Sequence, residues 1–427
     1  MIGALTNAIY VLVAAGTAPW WARKTRGGWR ERFGKVDALP QEAEKPRVML
    51  HTVSVGETNA VRALVPLLTP HARVIITATT DTGLKRAREL YGSTCDVRRY
   101  PLDATFAVRR FLDAVRPDVV GLAELELWPN FVATCDRRGV PVAVINGRIS
   151  ERSFRGYRLL RGVLRRSFGR LAFVAAQDEA YARRFVSLGA REERVGVFGS
   201  LKWDSAPDPD PQGVSAAARA LAEGLGVDRQ RPVLVAGSTG PGEEALLRSA
   251  TPTGVQLVCA PRKPERFEEA AEALPGCVRR STGRPGSGDI FLLDTLGELG
   301  AAYELCDVAV VGRSFGPVDG SVQGSDPMEP AALGKPVVTG PAHANFATVV
   351  QSLAAAGALR VVEPESLGET MRELFGDAPL RRSMGHAARA CVEQQRGASE
   401  RCAAKLLELA RRRRSAIGQP GQGSRLH

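Results

Sequence analysis

Glu57 stands where an apolar, β-rich run over residues 48–53 gives way to Ser54-Val55-Gly56-Glu57 and a helix with Ala60, Val61, Leu64 and Leu67 on one face. A carboxylate at such a joint caps the helix, or it takes a proton from a hydroxyl brought to it; spacing alone leaves both readings open. Glu124 and Glu126 follow a second apolar run over 119–122, and Trp128-Pro129-Asn130 behind them reads as a fixed loop aimed at the same place. Lys202, in Gly199-Ser200-Leu201-Lys202-Trp203-Asp204, is either a solvated linker residue or a cation placed to meet a phosphate or a sugar carboxylate. Further on, Pro261-Arg262 comes immediately after an apolar run over 255–260. A charge-assisted hydrogen bond from an arginine there to a phosphate is worth about 1.5–3 kcal/mol. Leu296-Gly297-Glu298 and Asp326-Pro327-Met328-Glu329 each open a helix. Helix starts of this kind offer free N–H groups and a positive dipole end to a phosphate, while carboxylates beside them can grip ribose hydroxyls. Taken singly, each is as well explained as a cap or core turn. Gly237-Ser238-Thr239-Gly240 followed by Gly242-Glu243-Glu244 is a further strand–loop–helix joint suited to a phosphoryl group.

These residues need a scaffold that brings strand ends to one edge, and the chain supplies it twice. Apolar runs over 48–53, 73–79, 119–122, 142–145 and 171–176 alternate with helical segments, which predicts an α/β domain with a mostly parallel sheet. The polar residues gather just after the strands, where ligands bind in open α/β sheets. Ser205-Ala206-Pro207-Asp208-Pro209-Asp210-Pro211 marks a boundary. A second alternation then starts at 232 and runs through 255–260, 308–311 and 336–338. The expected division is 1–35 for a membrane-associated helix and its basic flank, 36–204 for the first domain, and 205–231 for the linker. The second domain then covers 232–410, and 411–427 forms a basic, disordered tail.

At 427 residues, 44% hydrophobic and 24% charged, the chain has the composition of a globular two-domain protein. Seven Cys form no CxxC pair and no zinc spacing, and five His are dispersed, so no metal site is expected. The net charge of +12 points to acidic partners. No GxxxxGK[ST] loop is present, which argues against NTP hydrolysis, and no recognised motif supports nucleic-acid binding. The first 22 residues carry no charge and are followed by Arg23, Lys24, Arg26, Arg30, Arg32 and Lys35. With Trp20, Trp21 and Trp29 at its basic end, the segment reads as a membrane anchor or interfacial helix that leaves the rest of the chain on the cytoplasmic face. A second basic stretch contains Arg148, Arg152, Arg155, Arg158, Arg161 and Arg165, a solvated face or a surface for anionic lipid.

Taken together, the blocks HTVSVGET (51–58), ELELWPN (124–130), NGRISERSFRGY (146–157), GSLKWD (199–204), GSTGPGEE (237–244), APRKPERF (260–267), DTLGEL (294–299) and DPMEPAALGKPVVTGP (326–341) resemble, in order, the Kdo (3-deoxy-D-manno-octulosonic acid) transferase family. That resemblance covers nearly the whole chain. It implies a GT-B fold, two Rossmann-like domains facing across a cleft, with an N-terminal membrane-associated helix at the cell inner membrane. It further implies inverting transfer of Kdo from CMP-Kdo to a lipid A precursor, with no cofactor and no metal. On this resemblance Glu57 is the general base and Glu124 and Lys202 support the transition state. Pro261, Arg262, Leu296, Gly297, Glu298, Asp326, Pro327, Met328 and Glu329 bind CMP.

The departures from the family pattern fall in the donor half. Gln323-Gly324-Ser325-Asp326-Pro327 stands where the family has Gly-Gly-His-Asn-Pro, Ser238-Thr239-Gly240 where it has Ser-Thr-His, and Gly312-Arg313-Ser314 where it has Gly-Gly-Ser. Asp326 brings a carboxylate beside the expected CMP site, and Arg313 is its candidate partner. Two rival readings are a GT-B transferase using another nucleotide sugar on a lipid acceptor, and a non-catalytic lipid-binding paralogue.

Overall fold

The computed structural model describes residues 27–40, 44–210, 213–317 and 323–418. The expected membrane-associated helix lies outside the described residues, as does the end of the tail. No helix among the described residues is long and apolar enough to cross a membrane.

The chain divides into two compact units, Met1–Ser205 with Gln395–His427, and Ala206–Gln394. In the first, seven strands form one sheet: β1 (Arg47–Thr52), β2 (Arg73–Ala78), β3 (Asp96–Arg99), β4 (Val119–Ala123), β5 (Val142–Gly147), β6 (Phe173–Ala176) and β7 (Val195–Val197). Their order is β3-β2-β1-β4-β5-β6-β7 and every pairing is parallel. β1 and β4 are buried along their whole length, because helices cover both faces of such a sheet. The apolar runs of the sequence match the central strands to within a residue or two. β3 and β7 escaped it: β3 reads Asp-Val-Arg-Arg, an edge strand with hardly any apolar signal.

The second unit repeats the plan with β8 (Val233–Thr239), β9 (Gln256–Pro261), β10 (Val278–Arg279), β11 (Ile290–Leu292), β12 (Val308–Val311), β13 (Val337–Thr339) and β14 (Leu359–Val361), ordered β10-β11-β9-β8-β12-β13-β14. Again all pairings are parallel. Each unit has an apolar cluster on either side of its sheet.

The C-terminus corrects the expected division. The helix Ala398–Gly418 belongs to the first unit, where Cys402, Ala403, Leu406, Leu407 and Ala410 join Val48, Leu50 and Val119 in one buried cluster. Gly121 on β4 makes room for it: a Cβ there would sit 3.4 Å from Leu406 Cδ2. Residues 411–418, expected to be disordered, continue this helix, and Arg413 reaches Asp118 at 2.9 Å. Asp204 holds the helix start, accepting from the backbone N–H groups of Gly397 (2.6 Å) and Ser399 (2.5 Å). The linker is also shorter than expected, because Ala216–Leu225 is already a helix of the second unit, capped by Ser215.

Candidate functional site

Three carboxylates meet at the carboxyl ends of β1 and β4. Glu57 lies in the first turn of Val55–Ala60, with Ser54 as N-cap. Its two oxygens accept from Val53 N–H (2.7 Å) and Ser54 Oγ–H (3.0 Å), while the Glu57 N–H donates to Ser54 Oγ (3.5 Å), a variant of the capping box in which the residue before the N-cap supplies the backbone donor. Glu57 is therefore a cap in this fold. Burial raises its pKa, opposed by the Val53 N–H; the negative charge of Glu124 raises it further, and Ser54 and Arg148 act against that.

Glu124 directly follows β4 with φ of 57°, in the left-handed region, while its N–H donates to Ile145 O on the neighbouring strand (2.9 Å). Its carboxylate pairs with Arg148 Nε at 3.3 Å. Glu126 accepts from Trp128 Nε1–H (3.2 Å). Burial pushes its pKa up to about 7, helped by the charges of Glu57 and Glu124 against the Trp128 hydrogen bond. The loop that holds this group is pinned from beneath. Buried Asp103 accepts from the N–H groups of Asn130 (3.0 Å) and Phe131 (2.7 Å), capping helix Pro129–Arg137.

Lys202 lies on the short helix Leu201–Asp204. That helix is tied to the same sheet edge by Asn146, whose Oδ1 accepts from Leu201 N–H (3.1 Å) and from Gln177 Nε2 (3.0 Å). Asn146 stands two residues before Arg148, the partner of Glu124. The structure thus joins Glu57, Glu124 and Arg148 electrostatically and links the Lys202 helix to them through the Asn146 side chain. His51, in the same motif as Glu57, is fully buried and stacked on Tyr100 at 3.7 Å between ring centres. Burial lowers its pKa to about 3, so it is a neutral core residue.

In the second unit the expected phosphoryl joint is filled from within. The carboxylate of buried Glu243 accepts from Gly240 N–H (2.7 Å) and Arg313 N–H (2.7 Å) with one oxygen. The other oxygen takes Ser314 N–H (2.8 Å) and Phe315 N–H (3.0 Å). A nest of backbone donors forms as the Gly-rich loop suggested, but the protein's own carboxylate occupies it. Arg313 adopts φ of 54°, a left-handed conformation suited to the glycine the family has there. Among the described residues no ion pair joins Arg313 to Asp326; Asp326 Oδ1 accepts from Met328 N–H (3.0 Å) and starts the helix Met328–Ala332.

The two arginines of Ala260-Pro261-Arg262-Lys263-Pro264-Glu265-Arg266 divide their work. Arg266 turns inward, bidentate to buried Glu244 at 2.9 Å and hydrogen-bonded to Thr239 O at 3.1 Å. Arg262 follows Pro261, the last residue of β9; its N–H bonds Thr239 O (3.1 Å) and its exposed guanidinium has no ion pair among the described residues. Glu298 precedes helix Leu299–Leu305 and is held by Arg280 at 3.0 Å and by Thr295. Burial raises its pKa, but those bonds outweigh it and the net shift is downward. Leu296 is 71% exposed, and Gly297 turns with φ of 91°. Gly300 admits the Glu329 carboxylate, since a Cβ at 300 would stand 2.7 Å from Glu329 Oε1. The blocks at 296–298 and 326–329, far apart in sequence, therefore adjoin. Lys335 locks the far end of the same helix by donating to Glu304 O (2.9 Å) and Cys306 O (2.8 Å).

Among the described residues no group of three or more His, Cys, Asp or Glu is arranged to hold a metal ion.

Comparison with known proteins bears on the same blocks. Residues 27–205 match the model of the family described as 3-deoxy-D-manno-octulosonic-acid transferase (kdotransferase). The 3-deoxy-D-manno-octulosonic acid transferase of Bordetella pertussis is 35% identical over 92% of this chain and 97% of its own length. This chain belongs to the Kdo transferase family. The Haemophilus influenzae transferase is 30% identical over 86% of this chain and 87% of its own. Among solved structures, the UDP-GlcNAc 2-epimerase of Neisseria meningitidis matches with a TM-score of 0.56 and 13% identity, covering 85% of this Kdo transferase chain and all (100%) of that one. That likeness speaks for the two-domain α/β fold alone.

Two further carboxylates acquire their surroundings only in the folded chain. Glu126 was visible in the Glu-x-Glu pattern, but only burial beside Glu57 distinguishes it from its neighbour Glu124. Glu243 carried no signal as a nest-filling anion, because its partners at 313–315 lie on another strand end.

Proposed function

We propose that this Kdo transferase moves Kdo from CMP-Kdo to a hydroxyl of a lipid A precursor, with inversion, at the cytoplasmic face of the inner membrane. The observation that carries the reading is the half-buried Glu57 carboxylate at the end of β1, raised in pKa and flanked by Glu124 and Arg148. In this reading the acceptor O–H gives its proton to Glu57. The acceptor oxygen bonds to the anomeric carbon as the bond to the CMP phosphate oxygen breaks and CMP leaves. A positioned base of this kind contributes roughly 10²–10⁴-fold. Glu124 and Lys202 support the charge that develops, and Arg148 holds the Glu124 carboxylate in place. Exposed Arg262 meets the CMP phosphate and Glu329, beside the Arg280-held Glu298, faces the nucleoside, in a transfer that uses no metal or cofactor.

The test is direct. Purified full-length protein is incubated with CMP-Kdo and a lipid A precursor, with and without EDTA. CMP release matched by Kdo-lipid formation in both arms is expected. Transfer from a UDP-sugar but not from CMP-Kdo would replace the donor, and dependence on a divalent ion would replace the metal-free mechanism.

A further inference from the structure

Two of the departures in the donor half turn out to be joined in space. Where the family has Ser-Thr-His and Gly-Gly-Ser, this chain has Ser238-Thr239-Gly240 and Gly312-Arg313-Ser314. A side chain is lost at 240 and one is gained at 313. The N–H groups of Gly240 and Arg313 donate to the same Glu243 oxygen, at 2.7 Å each. A Cβ added at Gly240 would stand 3.3 Å from Arg313 Cγ and 3.5 Å from Arg313 Cα. The Arg313 side chain therefore runs past Gly240, through space that a side chain at 240 would contest.

Glycine would be the cheaper residue at 313. Arg313 holds φ of 54°, in the left-handed region that side chains disfavour and glycine takes freely. Gly312 before it is required by space, since a Cβ there would lie 2.6 Å from Glu243 Oε2 and 2.7 Å from Thr239 Cα. Position 313 has the backbone of a glycine and carries a cation instead. Strain of this kind gathers at active sites and ligand clamps. Arg313 is half-buried and makes no ion pair among the described residues, so no carboxylate of the fold claims its charge.

Its place in the sheet says what could claim it. β9, β10 and β11 lie on one side of β8, and β12, β13 and β14 on the other, so the strand order reverses between β8 and β12. In a doubly wound sheet the ligand crevice opens at the carboxyl ends of the strands at such a point. Gly240 follows β8 and Arg313 follows β12, on the two sides of that crevice. Arg262 follows β9, on the far flank of β8, where its N–H bonds Thr239 O (3.1 Å). Two cations thus flank the turn at Thr239-Gly240, on strands about 10 Å apart at ordinary spacing.

Kdo is an ulosonic acid, so the anomeric carbon of CMP-Kdo bears a carboxylate and the phosphate ester oxygen together. A donor with two anions on one carbon matches two cations on either side of one turn, whereas a UDP-hexose has no carboxylate there. We infer that Arg313 binds the Kdo carboxylate of the donor, in the space Gly240 leaves open, while Arg262 takes the phosphate. The inference rests on the CMP-Kdo reading above and names the residue that recognises the sugar acid.

Calorimetric titration of full-length protein with CMP and with CMP-Kdo tests it without an acceptor. Arg313→Gly restores the glycine of the family pattern and relieves the backbone, so the thermal midpoint should hold or rise. Affinity for CMP-Kdo should fall roughly tenfold or more, the loss of one charge-assisted contact, with CMP affinity within about two-fold of wild type. Arg313→Lys, which keeps the charge, should retain more CMP-Kdo affinity than R313G. Undiminished CMP-Kdo affinity in R313G would overturn the inference. Equal losses for CMP and CMP-Kdo would overturn it too, moving Arg313 to the phosphate, and a lowered midpoint with no selective loss would give Arg313 to the fold. Wild-type protein that fails to bind CMP-Kdo would bring down the donor reading and this inference with it; wild-type binding that R313G leaves intact brings down the inference alone.

Discussion

Glu243 and Ser314 are separated by 71 residues, yet the Glu243 carboxylate accepts the Ser314 N–H at 2.8 Å inside a nest it fills completely. The anion that satisfies these backbone donors is part of the chain, which separates a structural nest from a substrate site. Glu243→Ala strands four backbone N–H groups, those of buried Gly240 and Ser314 and of half-buried Arg313 and Phe315. An unsatisfied buried donor costs about 1–3 kcal/mol, so a stability loss of roughly 3 kcal/mol or more is expected after relaxation. Denaturant unfolding of the second domain measures it. A folded E243A protein that binds CMP or phosphate more tightly than wild type would instead make the nest a ligand site blocked by Glu243.

Glu57→Gln keeps the side-chain shape and most of its capping contact while removing the base. Turnover should fall by roughly 10²-fold or more with CMP-Kdo affinity near normal. Stability should drop by no more than about 1 kcal/mol, because the amide oxygen can take the Val53 N–H and Ser54 can rotate to accept from the amide nitrogen. Turnover within a few-fold of wild type would leave Glu57 a cap only and make Glu124 the next candidate.

Glu126 keeps its proton in the folded protein up to about pH 7, whereas the unfolded chain releases it near pH 4.5. Between those values the unfolded state binds fewer protons, so this group lowers stability as pH rises, and the cost is complete above about pH 7. Glu126→Gln should therefore stabilise the protein at pH 8 relative to pH 5, by roughly 1 kcal/mol or more. Removing the Glu57 charge in E57Q should lower the Glu126 pKa, visible as an earlier inflection in the Trp128 emission. Parallel stability–pH curves for wild type and E126Q would refute the assignment.

Arg262 and Arg266 differ by four positions and by destination. Arg262→Ala should weaken CMP binding by about 1.5–3 kcal/mol and leave the thermal midpoint in place, as expected for an exposed cation lost from a phosphate. Arg266→Ala uncovers buried Glu244 and should destabilise the second domain by roughly 3–5 kcal/mol. Calorimetric CMP binding and a melting curve on both variants separate the roles, and reversed outcomes would exchange them.

Much of this protein was decided locally. The apolar runs of β1, β4, β5, β8, β9 and β12 and the Gly- and Pro-bearing joints after them suffice for two parallel α/β domains, because strand formation and turn chemistry depend on near neighbours. The same is true of Glu57 and Glu124 standing at strand ends, and of Arg262 coming immediately after β9. The weakly apolar β3, β10 and β14 depend on a sheet already formed beside them, and the sequence cannot assign the helix Ala398–Gly418 to the first domain, because its apolar face has meaning only against Leu50 and Val119. Tertiary structure alone decided which polar groups are already satisfied. Glu243 is consumed by backbone donors from another strand end, Glu298 by Arg280, and Arg266 by Glu244, while Arg262 stays open. It also decided that burial beside Glu57 pushes the Glu126 pKa up to about 7. Identity and spacing put a charge at a strand end; burial and long-range partners determine whether that charge is spent on the fold or left for a substrate.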